Sequence, residues 1–100
     1  MKRVFVEGTL RISGGDSGDV RIVLFSPMHL AQDWCCEYSI ELEGQARHKK
    51  VFGFDSFQAL VLSLRALATD VFDLEQKFGA KMIWSEDGAV HGFPESFRFK

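Results

Sequence analysis

The chain is poor in the residues that most often mark chemistry. Of its 100 residues only two are cysteine, two proline and one tyrosine. Cys35 and Cys36 are adjacent, with no second pair and no spaced framework, which excludes a disulfide scaffold. There is no Cys-x-x-Cys, and His29, His48 and His91 form no i, i+4 pair, so no metal is expected. Gly14 and Gly15 precede Asp16 rather than a Lys-Ser/Thr pair, and no Gly-x-Ser-x-Gly elbow occurs. Phosphate-loop and nucleophile-elbow chemistry are thereby excluded, and neither catalytic residues nor cofactors are expected. No apolar run approaches the length of a membrane-spanning helix. In MKRVFVEGTL, Glu7 and Gly8 break the apolar run before a signal-peptide core could form. Twelve basic against 14 acidic residues leave a net charge of −2, with no basic footprint for nucleic acid or an anionic membrane. The expectation is a soluble cytoplasmic protein, bacterial in style.

What is present is apolar and ring-rich: 46% hydrophobic residues, ten of them phenylalanine. A chain of this length buries about 60–70% of its unfolded surface, enough for one domain over residues 1–100 without staples. From Arg3 to Ile12, Val4, Val6, Leu10 and Ile12 share one parity, the mark of a half-buried strand. SGGDSGD at 13–19 is a loop, and a second strand runs from Asp19 to Ser26 before Pro27. In DWCCEYSIEL the alternation is cleanest: Trp34, Cys36, Tyr38, Ile40 and Leu42 on one face, Cys35, Glu37, Ser39 and Glu41 on the other. The adjacent cysteines therefore point apart, with Cys36 in the core and Cys35 exposed or at an interface. Gly44 and Gln45 turn the chain into a fourth strand, Arg47 to Phe54, whose RHKK faces the glutamates of the third.

The period then changes to 3.6. Asp55 with Gln58 gives a capping box, and Phe57, Leu60, Val61, Leu64, Leu67, Ala68, Val71, Leu74 and Phe78 form one broad stripe. Gly79 stops a helix of about 22 residues. Residues 81–86, the turn Asp87-Gly88 and AVHGF make a last hairpin, followed by a tail whose Phe93, Phe97 and Phe99 cover a sheet edge. The fold expected is α+β: a mostly antiparallel sheet, β-β-β-β-α-β-β, with one long helix packed on one face. Trp34, Tyr38, Phe52, Phe54 and Trp84 should meet Leu60, Leu64, Leu67 and Val71 in its core.

GFDSFQALVLSLRAL at 53–67, with Trp84 and the HGFP at 91–94, resembles a family of small bacterial proteins, a domain of unknown function. In that family a Gly-x-Asp-Ser-x-Gln-Ala-Leu helix start follows an antiparallel sheet and a Gly-Phe-Pro ending comes after a Trp-containing strand. The resemblance implies the fold and no activity.

Two constellations remain. If the strands keep their parity, Phe5, Val23, Phe25, Cys35, Val51 and Ile83 lie on the face that the single helix leaves bare, unless a bulge at Gly8 or the tail intervenes. That surplus makes a non-catalytic protein-interaction module the leading expectation, either a homodimer or an immunity-type or regulatory binder of one protein partner. The alternative is a small enzyme or ligand-binding protein whose site joins Glu75, Trp84 and His91 near the helix C-terminus and last hairpin. Without such a site, Glu75, within the apolar stripe in the last turns of the helix, is expected to snorkel or lie exposed at the sheet's edge.

Overall fold

The computed structural model describes residues 2–12 and 18–94. β1 (Val4–Ile12), β2 (Val20–Phe25), β3 (Met28–His29), β4 (Trp34–Leu42) and β5 (Gln45–Gly53) precede α1 (Ser56–Phe78) and β6 (Met82–Trp84). All pairings are antiparallel, and the six strands make one sheet. β5 lies at one edge against β4, followed by β2, β1 and β6. Pro27 ends β2, and the chain resumes as β3 on the same side of β4, a two-residue strand not foreseen from the pattern. The long helix packs on one face, which makes the domain α+β as expected.

Parity decides what the helix covers. Leu10 stands opposite Val20, Ile22 opposite Ile40, Leu24 opposite Tyr38, and Cys36 opposite Val51. With Leu67 and Val71 of α1 and Met82 of β6 these side chains form the core. Met82 reaches it because β6 pairs with the end of β1, Ile12 opposite Met82 and Leu10 opposite Trp84. Past β6 the expected hairpin shrinks to a single bridge between Ile83 and Val90.

The β4–β5 turn is Glu43-Gly44, both at positive φ (54° and 79°), one residue earlier than expected. It sets Leu42 opposite Gln45 and Trp34 opposite Gly53. Gln45, Arg47, Lys49, Val51 and Gly53 therefore face the helix, and Phe52 faces away. Phe52 and Phe54, expected in the core, are 52% and 83% exposed. The physical reason is the approach of α1. A Cβ at Gly53 would lie 2.5 Å from the Ala59 nitrogen and 2.9 Å from its Cα, so backbone meets backbone where a ring was expected.

The helix begins as its caps dictate. Asp55 Oδ1 accepts from the Gln58 amide at 2.7 Å, and Gln58 Oε1 accepts from the Phe54 amide at 2.6 Å. It ends at Gly79 in the left-handed conformation. Its buried face is offset from the stripe read in the sequence: Ala59, Ser63, Leu67 and Val71 lie against the sheet, while Phe57 is 80% exposed and Val61 is exposed. On a 3.6-residue wheel Phe57 and Val61 share a flank with Ala68, Phe72 and Glu75. Lower on the helix that flank is covered by the segment holding His91 and Phe93; the His91 ring approaches both Phe72 and Phe93. At the N-terminal turns nothing among the described residues covers it. Phe93 packs on the core, and Phe97 and Phe99 lie outside the described residues.

Candidate functional site

The expected interface residues divide. Val23 and Cys35 lie on the face away from the helix and are buried there, Phe25 and Ile83 half-buried. Cys35 sits between Met28 and Phe52 across the ladder rather than open to solvent, which corrects its expected exposure. Val51 is on the other face, opposite Cys36 and packed on the core, because the two-residue turn gives it the parity of Lys49 and Gly53. Phe5 is exposed at a bulge between Val4 and Val6, so the irregularity falls before Gly8 rather than on it. At Gly8 the backbone instead makes room for Trp84, whose Cζ3 would stand 2.7 Å from any Cβ.

Apolar surface is gathered at one end of the sheet, not across its face. Antiparallel pairing brings the start of β1, the end of β2, the start of β4 and the end of β5 to the same end, where α1 also begins. Val4, Phe5, Val6, Leu30, Phe52, Phe54, Phe57 and Val61 are all exposed there. Of the strongly exposed large apolar residues described, only Val90 lies elsewhere. Charged groups rim this end on the outer face. Lys2 reaches Glu37 at 3.1 Å and lies over the Phe25 ring, 4.9 Å from its centroid, and Lys50 approaches Glu37 at 3.8 Å.

At the opposite end of the helix, Glu75 and His91 do meet. Glu75 Oε2 accepts from the Met82 amide at 2.7 Å and lies 3.1 Å from His91 Nε2. The two side chains are only 8% and 7% exposed, so Glu75 is not the edge-exposed carboxylate expected. The bridge from helix to β6 supplies partners that make its burial tolerable. His91 Nδ1 is buried with no hydrogen-bond partner. Trp84 does not complete the constellation: it lies two residues along β6 from Met82, with its ring over Gly8.

Sequence reading missed a second polar linkage. The Tyr38 hydroxyl, on the core face of β4, donates to Asp70 Oδ2 at 2.6 Å, and Lys49 Nζ contacts both oxygens of Asp70 at 3.0 and 2.9 Å. Burial, then the neighbouring Asp70 carboxylate, pushes the phenol well above its ordinary value near 10. It therefore stays a donor. The thiols are also held protonated: burial pushes Cys35 up, reinforced by Glu37 and opposed by Lys50. Burial likewise pushes Cys36 up, opposed by the nearby Ser63 hydroxyl. The Cys36 thiol donates to the Phe25 carbonyl at 3.3 Å. Among the described residues no three His, Cys, Asp or Glu side chains converge as a metal ion would require, and no helix is long and apolar enough to cross a membrane.

The sequence profile of one family, a domain of unknown function (DUF6968), matches residues 6–95. The chain belongs to that family. No curated protein and no solved structure matches it. The DUF6968 match spans both the sheet and the helix, so the Glu75–His91 bridge, the Tyr38–Asp70–Lys49 linkage and the apolar end apart from Val4 and Phe5 lie within the family's own domain. The signal for the last was present in the sequence as one tyrosine among core residues, since a buried phenol needs a partner for its hydroxyl. Its partner, 32 residues away on the helix, had no local signature.

Proposed function

We propose that this DUF6968 domain is a non-catalytic protein-interaction module that docks through its apolar end. The observation that supports the reading is Phe54 and Phe57, 83% and 80% exposed at the end of the sheet where the other large exposed apolar side chains gather. Monomeric proteins rarely leave large contiguous apolar patches in water, and aromatic anchors dominate binding energy at interfaces. The first occupant proposed is a second copy of the chain. Exposed Arg3 and Asp33 lie at the same end, giving the rim both signs of charge, which a two-fold contact can pair with itself. An immunity-type or regulatory binder of a different protein would use the same anchors. Light scattering over a wide concentration range tests the proposal, with the Phe54→Ser/Phe57→Ser variant as control. The expected result is a wild-type mass that rises with concentration and a variant that stays monomeric. A monomer throughout removes the self-association form. A binder form survives that result only if an isolated partner loses affinity for the same variant.

A second reading has its own observation. A buried carboxylate against one nitrogen of His91, with the other ring nitrogen unpartnered, is how a general base is oriented. Substrate access would require residues 85–94 to move, because the ring is buried. Diethyl pyrocarbonate labelling of the folded protein separates the readings: slow modification of His91 fits a structural bridge, and modification as fast as that of exposed His48 favours a ligand site.

A further inference from the structure

Between the C-terminal half of α1 and strands β4 and β5 lies an open groove of about 430 Å³, a volume within the range of small-molecule sites. Ile40, Leu42 and Leu74 line it with apolar surface. Toward the middle of the helix, Tyr38, Asp70 and Lys49 form its wall, and they are already committed to one another. The charges left over decide what the groove would hold. RHKK was expected to pair with the glutamates of the preceding strand, but the register allows this only once. Glu37 stands opposite Lys50, while Arg47 stands opposite Ile40 and Lys49 opposite Tyr38, both on the helix face. Lys49 is neutralised by Asp70, and Asp73 is already engaged. The lining carries three cations, Arg47, Lys49 and Lys77, and three carboxylates, Glu43, Asp70 and Asp73; Arg47 and Lys77 form no ion pair among the described residues.

We propose that this groove binds a small organic carboxylate with an apolar body. The carboxylate would be held by Arg47, whose planar fork suits two parallel hydrogen bonds, with Lys77 as a second cation. The body would lie against Ile40, Leu42 and Leu74. The fork of Arg47, left without an ion pair, favours an acid over an amine. The apolar lining selects a chain or ring over a bare inorganic anion.

The test is an amide chemical-shift titration with octanoate below its micelle concentration, using octanol and octylammonium as matched controls. The expected result is saturable shifts confined to β4, the start of β5 and the last turns of α1. Octanol and octylammonium should bind at least tenfold more weakly. The Arg47→Gln/Lys77→Gln variant should lose at least tenfold in octanoate affinity. Both side chains are exposed, so its urea midpoint should match that of the wild type. Octanol binding as well as octanoate, shifts centred elsewhere, or undiminished affinity in the double variant would each overturn the proposal.

Discussion

Removing the Glu75 carboxylate should cost this domain much of its stability, and the amount can be worked from the contacts. Oε2 receives two donors, the Met82 amide at 2.7 Å and His91 Nε2 at 3.1 Å, in a site where both side chains are almost fully buried. Glu75→Leu strands both donors. Each buried group left unsatisfied costs about 1–3 kcal/mol, offset in part because a buried charge is also removed. The expected loss is about 2–5 kcal/mol, from a total of about 5–15 kcal/mol for a domain of this size. Glu75→Gln keeps a carbonyl oxygen for the same donors and gives up only the charge assistance, so it should cost about 1 kcal/mol. His91→Leu alone leaves the carboxylate with Met82 only, and it too should destabilise. In the double variant Glu75→Leu/His91→Leu neither group is left orphaned by the other. The singles should therefore sum to more than the double, with a coupling of at least about 1 kcal/mol. Urea unfolding followed by tryptophan fluorescence and far-UV circular dichroism measures the wild type and the four variants. A loss below about 1 kcal/mol for Glu75→Leu, or additive singles, would refute the bridge as a structural element.

Other consequences follow from the same geometry. Tyr38 is the only tyrosine in the chain, and its phenol is raised in the folded state. The unfolded chain therefore loses this proton first, and the contribution is intact below about pH 10 and lost as pH climbs beyond it. The stability difference between wild type and Tyr38→Phe, measured from pH 8 to 11, should shrink at the alkaline end, and a constant difference would contradict the assignment. Gly53→Ala places a methyl group 2.5 Å from the Ala59 nitrogen and should cost about 1–3 kcal/mol or more in urea unfolding, since backbone must move to admit it. Cys35 and Cys36 are both buried with raised thiol pKa values. They should react with a thiol reagent at pH 8 far more slowly in the native protein than in urea, and prompt native-state labelling of Cys35 would show that Met28 and Phe52 do not shield it.

Much of the architecture was legible because it rests on local periods and caps. Alternation located β1, β2 and β4, and strand parity separated Cys36 from Cys35. The Asp55–Gln58 pair and Gly79 bounded the helix. The errors arose where tertiary contacts override local pattern. Large rings read as core, yet Phe52 and Phe54 turn outward because the helix backbone fills the space beside Gly53. The apolar stripe of α1 is real but wider than the sheet can cover, and the segment after β6 hides only its lower flank, leaving Phe57 and Val61 bare. Glu75 sat within that stripe as a single anomalous residue. Its partners, the Met82 amide and His91, are supplied by a segment whose path no local rule specifies. Arg47 is the counterpart on the sheet: charge pattern suggested a cross-strand pair, while register put it on the groove.

The central claim is that the apolar end formed by Val4–Val6, Leu30, Phe54, Phe57 and Val61 is a docking surface. Its most direct test places a photo-crosslinking phenylalanine analogue at position 57 and maps the products by mass spectrometry. The account predicts crosslinks between copies that join position 57 to residues of this same end, abolished by Phe54→Ser. Crosslinks to the opposite end of the sheet around Glu43-Gly44 or to the last turns of α1, or none at concentrations where the protein associates, would contradict it.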